Sequence, residues 1–129
     1  MRFLSLDIGT RRTGVAYLDT DVGIPLPLDT LIHTSSSELV TAVMEIVRER
    51  KIDRIIVGLP LLPSGDEGSQ ANISREVGSS LGKHGLTIEY ADERYSSPRN
   101  SAHKNVIPSK NYDGDASAAC AILSQKIDS

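Results

Sequence analysis

Three carboxylates stand where this 129-residue chain could do chemistry: Asp7, Glu93 and Asp115. Asp7 sits in Phe3-Leu4-Ser5-Leu6-Asp7-Ile8-Gly9-Thr10, an otherwise apolar run. Burying its charge there is costly unless a cation, donated hydrogen bonds or a metal ion holds it. Glu93 follows an alternating strand-like stretch in Asp92-Glu93-Arg94, and Asp115 opens the small-residue run Ala116 to Ala121. Brought together, three carboxylates repel one another strongly without a cation. Hard oxygen donors on a partly open site suit Mg²⁺ or Mn²⁺, which keep several waters and also bind phosphate. Two such ions roughly 3.5–4 Å apart activate a water and stabilise the leaving oxygen of a phosphodiester. On this reading Asp7 bridges the ions, and Glu93 and Asp115 each complete one shell. Asp7 is hard to explain away among apolar neighbours, but the other two have plainer uses. Asp115 alone is a good helix N-cap, Glu93 could pair with Arg94 or Arg11, and Asp92 or Asp113 could replace Glu93 or Asp115.

Positive charge lies near all three. Arg11 and Arg12 follow Asp7, Arg94 follows Glu93, and Arg99, His103, Lys104 and Lys110 lie between Glu93 and Asp115. These are candidate contacts to a phosphate backbone, although any one of them could equally be a solvated surface charge. One Phe, no Trp and four Tyr provide little for a base-stacking platform. Recognition by backbone and shape is the expectation. A net charge of −3 argues against strong non-specific nucleic-acid binding over the whole surface. The three histidines, at 33, 84 and 103, read as exposed or incidental, and Cys120 as a packing residue.

The elements that must position these groups follow from hydrophobic periodicity. Residues 2–8 read as a buried strand, turned by Thr10 to Gly14 into a second strand, Val15 to Leu18. A Pro/Gly loop over 19–27 leads to a third strand near Leu28 to His33. Ser35-Ser36-Ser37-Glu38 has the form of a capping box opening a helix to about Lys51. Its apolar stripe is Leu39, Val40, Val43, Met44, Ile46 and Val47. Arg54 to Gly58 is a β-branched run of the kind found in buried parallel strands. A second helix is expected from about Gln70 to His84, stopped at Gly85, with Gly78 and Gly82 counting against it. Leu86 to Ala91 alternates like an edge strand with one wet face. A last helix is expected from about Asp115 to Ile127, while residues 98–110 are too polar to assign. Three meandering strands followed by βα crossovers predict an α/β, ribonuclease-H-like fold: a mixed five-stranded sheet with helices on both faces. The length suits one domain, residues 1–129.

Composition excludes several classes. No apolar run is long enough to span a membrane, and Met1-Arg2-Phe3 enters a strand directly, so neither a leader nor an anchor is expected. A single cysteine rules out a disulfide framework or a Cys-rich zinc site and suits a cytoplasmic protein.

Four motifs then resemble one family in the right order. Asp7-Ile8-Gly9-Thr10-Arg11-Arg12-Thr13-Gly14-Val15-Ala16 is similar to the opening motif of the YqgF/RuvX family, and Val57-Gly58-Leu59-Pro60 to its G-x-P motif. Asp92-Glu93-Arg94-Tyr95-Ser96-Ser97 and Asp115-Ala116-Ser117-Ala118-Ala119-Cys120-Ala121-Ile122-Leu123 resemble its two remaining motifs. The resemblance implies a ribonuclease-H-like nuclease dependent on divalent metal, with Asp7, Glu93 and Asp115 as catalytic positions. It further implies a role in 5′ maturation of pre-16S rRNA or in Holliday-junction resolution; the expected partners are nucleic acid and ribosome-assembly intermediates, and the expected state is a monomer or weak homodimer. Residues 98–112 depart from the family's pattern, being more polar and less basic. Three other functions compete: a DNA junction resolvase, which needs two sites and hence a dimer; a non-catalytic nucleic-acid-binding module; and an actin-like or sugar-kinase ATPase, which Asp-Ile-Gly-Thr also resembles. That last fold needs a second lobe, for which this chain is too short.

Overall fold

β1 (Arg2–Ile8) is the strand around which the others assemble in the computed structural model, which describes residues 1–92 and 118–124. It pairs antiparallel with β2 (Arg12–Asp19) and parallel with β4 (Arg54–Leu59). β3 (Leu26–Ile32) extends the sheet beyond β2, and β5 (Thr87–Asp92) extends it beyond β4 in parallel. The order is β3-β2-β1-β4-β5, the mixed five-stranded sheet expected from the element order. Strands β1, β4 and β5 run in one direction, so their carboxyl ends share one edge.

α1 (Ser36–Arg50) begins where the capping box was expected, with one difference. The Ser35 hydroxyl accepts from the Glu38 amide at 3.1 Å, but the Glu38 carboxylate reaches back to Thr34, accepting from its amide at 2.8 Å. That contact and the Thr34 hydroxyl hold the Glu38 carboxyl below the usual carboxylate range. α1 ends at Lys51, whose left-handed backbone (φ 54) donates to the Val47 carbonyl.

α2 (Ser69–Gly82) contains both glycines that counted against it. Gly78 makes room for a neighbour. A Cβ there would overlap the Tyr90 hydroxyl, so the bare backbone admits the tyrosine ring of β5. Tyr90 in turn lies under the Arg75 guanidinium, 4.9 Å from the ring centroid. The helix stops at Gly82, short of His84, and Gly85 (φ +86) makes the turn into β5.

Alternation along the strands sends two sets of side chains to opposite faces. Leu4, Leu6, Ile8, Val15, Ile55 and Val57 pack with Leu39, Val43, Val47, Val77 and Leu81, the inward stripes of α1 and α2. On the other face Phe3, Ala16, Leu18 and Ile56 pack with Ala119, Cys120, Ile122 and Leu123 of a helical segment, residues 118–124. Helices therefore cover both faces. The wet face expected on β5 is also covered in part: Glu89 is half-buried beside its register partner Ile56, and Ala91 packs on the second cluster. β3 starts earlier than expected and takes in Pro27, which an edge strand tolerates.

Candidate functional site

Asp7 lies one residue short of the carboxyl end of the central strand, half-buried among fully buried neighbours. Counting alternation from Ser5 puts its side chain on the face of segment 118–124, because the Ser5 hydroxyl donates to the Ala119 carbonyl at 2.7 Å. Asp7 pairs with Gly14 on β2. On the other side Leu6 pairs with Val57, so Gly58 is next to the level of Asp7, and Gly58 pairs with Ala91 on β5. Across four strands the carboxylate thus has glycine, glycine and alanine beside it. Interior strand glycines mark places where a ligand or backbone comes close. The β2–β3 register shifts between Thr13 and Val15, which pair with Leu31 and Leu28, so the extra residue lies on β3 across from Gly14, and such irregularities are frequent beside active sites.

The turn leaving β1 is tightly built. Gly9 N–H donates to the Arg12 carbonyl at 2.8 Å, and a Cβ on Gly9 would stand 2.6 Å from that oxygen, so only glycine fits. Arg11 and Arg12, both exposed, are carried on this turn and on the first residue of β2. Gln70 Nε2 donates to the Ile8 carbonyl at 2.7 Å and fastens the start of α2 to the same strand end.

Asp92 closes β5 at the shared edge, paired with Leu59. Of the predicted site residues, Asp7, Arg11 and Arg12 are therefore placed, at one end of the sheet. Glu93, Arg94, Arg99, Lys104, Lys110 and Asp115 lie outside the described residues, as do Asp113 and His103. Among the described residues, no group of three or more His, Cys, Asp or Glu could hold a metal ion.

Two expectations about single residues have opposite outcomes. Cys120 is packing, as expected: it is fully buried, and burial pushes its thiol pKa up to about 12, far from a reactive thiolate. His33, expected to be exposed or incidental, is 5 % exposed. Its ring Nε2 lies 2.8 Å from the Thr13 hydroxyl, and its backbone N–H donates to the Arg11 carbonyl at 2.9 Å. Burial lowers its pKa, and the nearby charge of Glu38 opposes that only in part. Ser5 and Gln70 were also missed. A serine amid Leu residues on a buried strand was the available signal for Ser5; nothing local marks Gln70.

Comparison with known proteins agrees with this geometry. The RuvX family profile, described as Holliday junction resolvase, matches residues 1–129. A Chromobacterium violaceum protein named "Putative pre-16S rRNA nuclease" is 38% identical over 95 residues, covering 73% of this chain and 69% of that one. A Trichormus variabilis protein of the same name is 37% identical over 130 residues, covering 97% and 86%. Among solved structures, Thermus thermophilus RuvC in complex with a Holliday junction substrate superposes with a TM-score of 0.73. It does so at 10% identity, over 98% of this chain and 93% of that one. The fowlpox virus Holliday junction resolvase does so with 0.62 at 12% identity, over 99% of both chains. The fold is thus that of RuvC-like, ribonuclease-H-like proteins, and this chain belongs to the RuvX family of nucleases.

Proposed function

We propose that the chain is a divalent-metal-dependent endonuclease that cuts structured RNA, in the 5′ processing of pre-16S rRNA, with Asp7, Glu93 and Asp115 as the metal-holding carboxylates. The observation that carries this is Asp7 itself: a carboxylate on the central strand, at the shared carboxyl edge, with Gly14, Gly58 and Ala91 for neighbours. Open α/β sheets bind ligands at that edge. A hard oxygen donor with side-chain-free backbone on both sides fits a hydrated Mg²⁺ or Mn²⁺ ion. In sequence, Glu93 directly follows Asp92, and Asp115 precedes the segment that Ser5 anchors.

When bound, the ions would supply an activated water and charge stabilisation for the leaving oxygen. The protein's own contribution is to hold the carboxylate rigidly. β1 is paired on both sides, its end is fastened by Gln70, and the turn beyond it carries Arg11 and Arg12, whose guanidinium groups would grip flanking phosphates. Arg94, Arg99, Lys104 and Lys110 would extend that grip. Among the described residues no helix is long and apolar enough to cross a membrane, and the reading places the enzyme in the cytoplasm with ribosome precursors.

The test is cleavage of an rRNA precursor and of a four-way DNA junction, by wild type and Asp7→Asn, with and without Mn²⁺. Loss of a ligand that supports several kcal/mol of charge stabilisation should slow cutting by roughly 10²–10³-fold without unfolding the protein. Cutting that Asp7→Asn leaves intact rejects the reading. The family profile's description favours a second substrate, the DNA junction. Preference for the junction in the same assay, together with a dimer in solution, would select it over RNA.

A further inference from the structure

The buried imidazole of His33 is absorbed neither by the core nor by the carboxylates. It lies just past the end of β3 and hydrogen-bonds to Arg11 in the β1–β2 turn and to Thr13 on β2. Its backbone N–H holds the Arg11 carbonyl, and its ring holds the hydroxyl of Thr13, the residue next to Arg12. With the Gly9–Arg12 hydrogen bond, these contacts fix the backbone on both sides of the arginine pair. Among the described residues, the ring's buried Nδ1 has no hydrogen-bond partner. A buried polar atom left unsatisfied costs about 1–3 kcal/mol. An apolar residue of similar size would remove that orphan atom but take from the buried Thr13 hydroxyl its ring partner, so the contact with Thr13 is what the ring supplies beyond packing.

We propose that His33 is a positioning residue for phosphate contact: through Thr13 and the Arg11 carbonyl it holds the β1–β2 turn so that Arg11 and Arg12 are presented at the Asp7 end of the sheet. This rests on the nuclease reading only for the identity of what is gripped, a phosphate backbone. Loosening the turn lets the two side chains sample other directions. The expected loss is then in substrate grip, while the carboxylate on β1, held by strand pairing on both sides, keeps its place.

The experiment measures binding of a labelled RNA hairpin with a single-stranded 5′ extension to the full chain carrying Asp7→Asn, which separates grip from turnover. Adding His33→Ala should weaken binding about tenfold and lower the salt dependence, log K against log salt, by about one phosphate contact, roughly 0.7–0.9 in slope. His33→Gln, whose amide can still reach Thr13, should restore most of both. In an Arg11→Ala, Arg12→Ala background the effect of His33→Ala should vanish, since the residue acts through them. In the cleaving enzyme, His33→Ala should raise KM and leave kcat within about twofold. An unchanged salt slope, or an undiminished His33→Ala effect without the two arginines, overturns the proposal. So does loss of binding that follows only the melting temperature of each variant. None of the binding outcomes depends on whether wild type cuts RNA, so a failure of the nuclease reading shows separately, as absence of cleavage.

Discussion

The two faces of the sheet are built from different kinds of residue. Under α1 and α2 the strands present Leu4, Leu6, Ile8, Val15, Ile55 and Val57, all buried and all large. On the face of segment 118–124 the same strands present Phe3, Ser5, Asp7, Gly14, Ala16, Ile56 and Gly58, and β5 adds Glu89 and Ala91. Toward the carboxyl edge that second face loses side-chain volume and acquires charge. One face holds the fold together; the other gives up apolar contact where the candidate site lies. Residues one apart on β1 thus answer to different demands.

The sharpest way to break this comparison is to substitute neighbours. Leu6→Ala, on the closed face, removes a fully buried side chain and should cost about 2–5 kcal/mol in urea unfolding, with cleavage per folded molecule unchanged. Asp7→Asn, one residue on, should do the reverse: cleavage falls as given above, while unfolding free energy stays within about 1 kcal/mol, because the amide keeps the shape and sheds the charge. If Asp7→Asn unfolds the protein and Leu6→Ala does not, the division of labour between the faces is wrong.

A smaller effect is expected where the second face is tied to its helix. Ser5→Ala leaves the Ala119 carbonyl without its hydroxyl donor and should cost about 1–3 kcal/mol. Because Asp115 lies four residues before Ala119, Ser5→Ala should also lower cleavage more than its stability loss accounts for. Comparing it with a closed-face substitution of equal stability cost checks this.

These differences also explain what the chain disclosed in advance. The closed face was legible because large apolar residues recur at helical and strand spacing: the stripes of α1 and β4 are found where periodicity put them. Asp7 was legible for the opposite reason, as a charge amid apolar residues. Ser5, Gln70 and His33 were not. Their roles depend on partners 114, 62 and 20 residues away, on a distant helix and on strand ends. No local pattern encodes such a meeting. Gly78 was misread for the same reason: its value as a helix residue is poor, and its value as a seat for Tyr90 exists only once β5 packs on α2.

The least of the expected effects is a pH dependence from His33, and its sign follows from burial. The folded imidazole has a pKa below its ordinary value of 6.5, since desolvation disfavours its charged form more than Glu38 favours it. Between that depressed value and 6.5 the unfolded chain therefore binds a proton that the folded one refuses, and stability must fall as pH falls through this window. Above it His33 contributes no slope. Glu38 slopes in the same sense but lower, from its ordinary value of 4.5 downward, because its folded pKa is also depressed. The two are thus separable along the pH axis. Urea unfolding of wild type and His33→Gln, followed from neutral pH to about pH 5, should show the wild-type slope just below 6.5 flattened in the variant. A slope that survives there unchanged would mean that burial at the end of β3 does not hold the ring neutral, and that the turn it contacts is open to water.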